Sequence, residues 1–159
     1  MGRKSTREKK TIYQQLREED SLTREKAAEL LEFISEDRLE RIENEKSQPA
    51  PEDVIRMAQV YNAPELCNYY CSHQCPIGQK YVPPVEMTEL PAIILETVAS
   101  LTPVYPLTNR LIEISRDGKI TEDEVPDFSN IQENLKKVSR AIEALQLWVE
   151  KEVPAKDMP

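Results

Sequence analysis

The chemically densest stretch of the sequence runs from Cys67 to Pro76 and holds all three cysteines and the single histidine. Three thiolates and one imidazole make a donor set that structural zinc sites use, and iron–sulfur clusters can also take thiolates with imidazole. The candidate metal ligands are Cys67, Cys71, His73 and Cys75. If a metal binds, we expect zinc in a closed structural site, because no acid lies nearby in the sequence to act as a base on a bound water.

Two other interpretations of this cysteine cluster are open. Cys67 and Cys71 are one helical turn apart, so they could be small buried side chains that seal the end of a helical domain. A disulfide within the cluster is the third interpretation. Three clustered cysteines are not the even, dispersed set of a secreted disulfide framework, and they indicate a reducing cytoplasm.

The elements that lead to the cluster are predicted to be five short helices. The first carries Tyr13 and Leu16 on its apolar edge and ends near Asp20, and the second spans residues 24–31. The later helices begin at residues that favour a helix N-terminus, which are Thr23, Ser35, Pro51 and Pro64 for helices two to five.

The order and spacing of several short segments resemble a known family. The segments are Leu16 to Glu19, Leu22-Thr23, Ala27-Ala28, Leu39 to Glu43, Pro49, and Val54 to Tyr61. Through them, residues 12–66 resemble the Cro/repressor-like, or XRE, helix-turn-helix family. The resemblance implies an ion pair between Arg17 and Glu43 that ties the first helix to the third. It also implies that Arg24 and the third helix face double-stranded DNA.

The sequence departs from that family in two places. Glu32-Phe33-Ile34 occupies the turn where the family usually has a glycine that takes positive φ cheaply, with one extra residue. The outward face of the third helix is net negative, although its arginine, asparagine and carboxylates could each read a base edge. The candidate DNA-contacting residues are Arg24, Ser35, Asp37, Arg38, Glu40, Arg41, Asn44 and Lys46.

The charge distribution leaves two functions open. The net charge is −8, yet residues 1–10 carry five basic side chains against one acid. Those basic residues, Arg3, Lys4, Arg7, Lys9 and Lys10, could form a phosphate-contacting arm or a solvated terminus. The first function is a sequence-specific, DNA-binding transcriptional regulator. The alternative is a non-enzymatic protein-interaction module with a degenerate helix-turn-helix, stabilised by a metal if the cysteine cluster binds one.

The C-terminal half predicts a helical hairpin or coiled coil. An apolar stripe begins at Leu90, and Pro103 and Pro106 kink or interrupt its helix. A later helix carries a seam with alternating steps of three and four residues, made of Phe128, Ile131, Leu135, Val138, Ile142, Leu145 and Val149. Its partner could be residues 90–115 folded back, a second subunit, or both, and we expect a homodimer.

These patterns together predict an all-α chain in five parts. They are a flexible basic tail at 1–11, a helix-turn-helix domain with the cysteine cluster at 12–78, a linker at 79–89, a helical oligomerisation region at 90–152 and a tail at 153–159. No apolar run approaches the roughly 18 residues that a membrane span needs. No nucleophile motif, phosphate-binding loop or small-molecule substrate site is evident. We therefore expect a cytoplasmic protein that is not an enzyme and does not contact a membrane.

Overall fold

A computed structural model describes residues 10–153, and these residues form helices joined by turns, with no strand among them. The predicted all-α class is confirmed. The chain divides into two compact units, Met1–Val82 and Pro83–Pro159. The first unit contains α1 Ile12–Glu19, α2 Arg24–Leu31, α3 Glu36–Glu43, α4 Pro51–Val60, α5 Glu65–His73 and α6 Gly78–Tyr81. The second contains α7 Leu90–Leu101, α8 Val104–Ile114 and α9 Val125–Glu152.

Side-chain caps fix where the first helices begin. The hydroxyl oxygens of Thr11, Thr23 and Ser35 each accept a hydrogen bond from the backbone N–H three residues later, at 3.4, 3.2 and 3.3 Å. These bonds satisfy N–H groups that have no partner inside the helix. The caps predicted at Thr23 and Ser35 are confirmed, and α2 has the predicted bounds.

The core of the first unit comes from one apolar face of each of its first five helices. Its completely buried side chains include Leu31, Leu39, Met57 and Leu66. Cys67 and Tyr70 pack against this core from the α5 side. The core therefore fixes the position of α3 relative to α1, α2 and α4.

The turn between α2 and α3 contains a strained residue. Glu32 has φ 63° and ψ −51°, and the N–H of Phe33 donates to the carbonyl oxygen of Leu31 at 2.7 Å. This is a γ-turn with positive φ, a rare conformation that is costly for a residue with a side chain. Ile34 then enters the core while Phe33 stays 87% exposed. The tight γ-turn thus accommodates the extra residue without a glycine.

The segment after α5 is more regular than the sequence suggested. The short helix α6 covers the first residues of the predicted linker at 79–89. A side chain at Gly78 would collide with the backbone carbonyl of Cys71, so glycine allows α6 to approach α5 closely. Residues 82–89 carry no helix or strand.

In the second unit, α9 packs along both α7 and α8. The fold-back of residues 90–115 onto the last helix is thus present within one chain. The buried line of α9 is rotated from the predicted seam, because Leu135 and Ile142 are each 45% exposed while Asn134 and Ala141 are buried. Ala141 on α9 and Ser100 on α7 are both buried, and small side chains at a contact allow a short distance between helix axes.

One helical stretch of the second unit, Leu90–Ile114, is long and apolar enough to cross a membrane by length and composition only, with a mean hydropathy of 1.4. This stretch differs from the expectation drawn from the sequence, because charged residues interrupt its apolar run without lowering its mean hydropathy to that of a polar helix. Only 11% of its most apolar window is buried, whereas an equally apolar core helix of a soluble protein is mostly buried.

Candidate nucleic-acid interface

The candidate interface is the outer surface of α2, the γ-turn and α3. Six of the eight predicted contact residues are exposed there, and they are Ser35, Asp37, Arg38, Glu40, Arg41 and Lys46. Arg24 and Asn44 are half-buried. The Ser35 hydroxyl is occupied in capping α3.

Arg24 is held by a buried ion-pair network centred on Glu43. Its Nε donates to Glu43 Oε2 at 2.7 Å, while Arg17 donates through Nε to Oε1 at 2.5 Å and through Nη2 to Oε2 at 3.0 Å. The implied Arg17–Glu43 ion pair is confirmed. Burial alone would lower the pKa of Arg17, but the hydrogen bonds and charge of Glu43 raise it above its usual value. Arg24 therefore presents an oriented, partly neutralised cation at the edge of α2.

Arg38 is held by an acid that sequence analysis did not identify. Its Nη2 donates to Asp53 Oδ2 at 2.5 Å, and the same carboxylate oxygen accepts from the N–H of Ala50 at 2.9 Å, which caps α4. Asp53 stands three residues after Ala50, a position from which an acid commonly caps a helix. That spacing could have predicted its capping role but not its contact with α3.

Arg41 is the exposed cation on α3 with no ion pair among residues 10–153. Around it lie the exposed acids Glu36, Asp37 and Glu40. Asn44, at the end of α3, has its Nδ2 3.5 Å from Glu40 Oε1. A guanidinium can bind guanine O6 and N7 together, and an amide can do the same for adenine N6 and N7. The chemistry for base reading is present, in surroundings that repel phosphate.

Comparison with known families decides what this arrangement is. Residues 14–66 match the family described as a helix-turn-helix domain. This segment is a helix-turn-helix domain. The match agrees with the XRE resemblance, supports DNA binding by this part of the chain, and does not extend over the C-terminal half. A comparison with curated proteins gives no match, and a comparison with solved structures also gives none.

The basic tail that precedes the helix-turn-helix domain falls largely on Arg3, Lys4, Arg7 and Lys9, which lie outside the described residues. Lys10 is described, and its Nζ binds Glu18 Oε2 at 2.5 Å. This hydrogen bond lowers the pKa of Glu18.

The cysteine cluster follows the helix-turn-helix domain on one line of α5 and just beyond it. Cys75 Sγ accepts from the N–H of Gly78 at 3.5 Å. The ring of His73 stacks on Tyr69, with centroids 4.5 Å apart, and its Nδ1 lies 2.8 Å from Ser72 Oγ. Residues 10–153 contain no group of three or more His, Cys, Asp or Glu side chains that could hold a metal ion.

A zinc site formed by Cys67, Cys71, His73 and Cys75 therefore stays a prediction from the sequence. The three cysteines are half-buried and form no disulfide. Cys67 packs against the core, as the interpretation of small sealing side chains requires.

Proposed function

We propose that this chain is a sequence-specific, DNA-binding transcriptional regulator of the XRE type, without catalytic activity, that acts in the cytoplasm as a homodimer joined by its C-terminal helices. The observation that carries the proposal is the state of Arg41. It is exposed on the third helix of a helix-turn-helix domain and has no ion pair among the described residues.

The contacts of the other cations support a division of roles. Arg24 and Arg38 are anchored by Glu43 and Asp53, so their charges are positioned but partly neutralised. They suit contacts that orient the domain on the sugar–phosphate backbone. Arg41 keeps its full charge and its five N–H donors for a base edge. A bidentate Arg–guanine contact contributes about 1–3 kcal/mol of discrimination against the wrong base.

The test is selection of a randomised duplex pool by the full chain at near-physiological salt, followed by sequencing of the bound fraction. We expect a two-fold symmetric site, because paired domains address paired half-sites. Arg41→Lys keeps the charge and loses the fork of donors, so it should relax the preference at one base pair of each half-site. Arg41→Ala combined with Arg38→Ala should abolish specific retention.

Arg140→Ala combined with Lys137→Ala is the matched control. Both side chains are exposed on α9 in the second unit, and their loss changes the net charge by the same amount as the Arg41→Ala, Arg38→Ala double variant. The control should retain the wild-type site preference. Selection of the same site by the Arg41→Ala, Arg38→Ala double variant would show that α3 does not read the DNA.

A second function, a non-enzymatic protein-interaction module, is favoured by one observation. Three exposed acids, Glu36, Asp37 and Glu40, share the outer surface of α3 with an Arg38 that Asp53 already neutralises. This surface suits a basic partner as well as DNA. If no sequence is enriched and weak DNA retention disappears on modest addition of salt, this second function replaces the first.

A further inference from the structure

An uncharged face of α7 and α8 points to solvent. Its residues recur at alternating steps of three and four, the spacing of a helix that packs against another helix. They are Pro91, Ile94, Val98, Leu101, Tyr105, Thr108 and Ile112, and all are exposed. Thr102 and Pro103, which join the two helices, both keep right-handed helical dihedral angles. The face, which we call the outer seam, therefore continues from α7 into α8.

A second line with the same spacing faces α9. It is buried or half-buried along its whole length, and its members are Ile93, Thr97, Ser100, Val104, Leu107, Leu111 and Ile114. With 3.6 residues per turn, the centres of the two lines lie about 110° apart around the helix. Helices of a four-helix bundle use two such neighbouring faces. Only one of the two is covered by residues 83–153 of this unit.

The exposed apolar area is too large for an isolated small unit. Among residues 83–153, the large apolar side chains that are exposed outnumber those that are buried. On the outer seam Val98 is 59% exposed, Ile112 61% and Tyr105 87%. Ile94 is 44% exposed, Leu101 50% and the neighbouring Leu95 71%. At roughly 200 Å² for a whole large side chain, these six residues expose roughly 700 Å². This area is above the few hundred Å² of ordinary monomer patches and close to the about 800 Å² that each partner buries in a standard interface.

We propose that the outer seam is the homodimer interface, packed against the same seam of a second copy about a two-fold axis. The proposal rests on the proposed function, since it names the surface that joins the dimeric regulator. A seam without charge that meets an identical seam leaves no unpaired charge buried. The same patch on both subunits is the interface type that a two-fold dimer needs.

The neighbouring helix argues for a second copy rather than a lipid bilayer. α9 packs along α7 and α8 and exposes Lys136, Lys137 and Arg140. Arg110 of α8 also donates to Asp127 of α9 at 2.7 Å. Insertion of α7 and α8 would carry these charges into hydrocarbon, at a cost of roughly 3 kcal/mol or more for each. A protein surface covers the outer seam and leaves α9 in water.

The test is sedimentation equilibrium of the full chain without DNA, with Val98→Glu and Tyr105→Glu as interface variants. Both side chains are largely exposed in one copy, so each variant should fold, as judged by far-UV circular dichroism and Trp148 fluorescence. The matched control is Ile142→Glu, which places the same charge on the outer side of α9. We expect a dimeric wild type and control, and a dimer dissociation constant at least about 100-fold higher for both interface variants, because each buries two carboxylates about the axis.

Three results of the sedimentation experiment would overturn the proposal. They are a monomeric wild type, interface variants that remain dimeric, and dissociation by Ile142→Glu alone, which would assign the interface to α9. Flotation with vesicles of anionic phospholipid, lost in Val98→Glu, would assign the seam to a bilayer instead. Failure of the DNA function is separate, because Val98→Glu should still bind a single half-site duplex if that function is right.

Discussion

Replacement of Glu43 by glutamine should destabilise the helix-turn-helix domain by several kcal/mol. The side chain of Glu43 is completely buried and its two oxygens accept from Arg17 and Arg24. Glu43→Gln keeps the shape and removes the negative charge that these guanidinium groups share. Arg17, which is only 5% exposed, would remain buried without a counter-charge.

The size of the effect follows from the burial. Removal of one partner from a buried ion pair costs about 3–5 kcal/mol, because the other charge stays desolvated. Domains of this size have total stabilities of about 5–15 kcal/mol. Since 1 kcal/mol corresponds to about 4–8 °C for a domain of 60–100 residues, the Tm of the domain should fall by at least about 12 °C.

The assay is urea unfolding of the full chain, followed by two signals. Far-UV circular dichroism reports all the helices, and fluorescence reports the second unit, because the only tryptophan is Trp148. Glu43→Gln should lower the urea concentration at which the first unit loses its circular dichroism signal. The transition of the second unit, followed by Trp148 fluorescence, should not change. The control is Glu40→Gln on the exposed side of the same helix, which should change stability by less than about 0.5 kcal/mol.

A loss below about 1 kcal/mol for Glu43→Gln would refute this reasoning. It would mean that the attraction between Arg17 and Glu43 only balances their desolvation and that the neutral amide is accommodated without cost. A loss of stability that is larger when followed by Trp148 fluorescence than when followed by circular dichroism would also contradict it, since the network lies wholly in the first unit.

Other predictions concern the backbone and the buried tyrosines. Glu32→Gly should stabilise the domain by about 1 kcal/mol in urea unfolding, because it relieves a positive-φ residue; destabilisation would show that the γ-turn is unstrained. Gly78→Ala should cost about 1–3 kcal/mol, because its methyl group meets the carbonyl of Cys71, and thiol labelling of Cys71 should become faster; an unchanged rate would argue against close packing. Burial raises the pKa of Tyr13 and of Tyr61 above that of a free tyrosine. Stability should therefore fall as pH rises above about 10, where the unfolded chain ionises first; ultraviolet titration in which all six tyrosines ionise together would contradict this.

Local signals in the sequence predicted the ends of the first helices well. Thr23 and Ser35 have short side chains that can accept from the backbone N–H groups of the next turn. Pro51 fits the first position of a helix because its fixed φ is helical and it needs no N–H partner there. Each of these effects depends on neighbours within three residues, so the residue type is enough to predict it.

Features that depend on distant residues could not be predicted in the same way. The spacing of apolar residues on α9 showed a broad stripe, but which side of that stripe is buried depends on how α9 packs along α7 and α8. The spacing of Asp53 from Ala50 could have predicted its capping role, but its contact with Arg38, 15 residues away, depends on the fold. That Arg41 forms no ion pair among the described residues, although acids lie near it on α3, likewise could not be predicted from its neighbours in sequence.

For the DNA-binding regulator proposed above, the acids on the outer surface of α3 affect how the protein would search a genome for its site. Binding at random sequence comes almost entirely from attraction to phosphates. A regulator whose reading helix carries Glu36, Asp37 and Glu40 gains little from that attraction and spends less time on the many competing sites of the chromosome. A larger share of the molecules would stay in solution, and occupancy of the true operator would depend on few, well-placed contacts rather than on a strong general affinity.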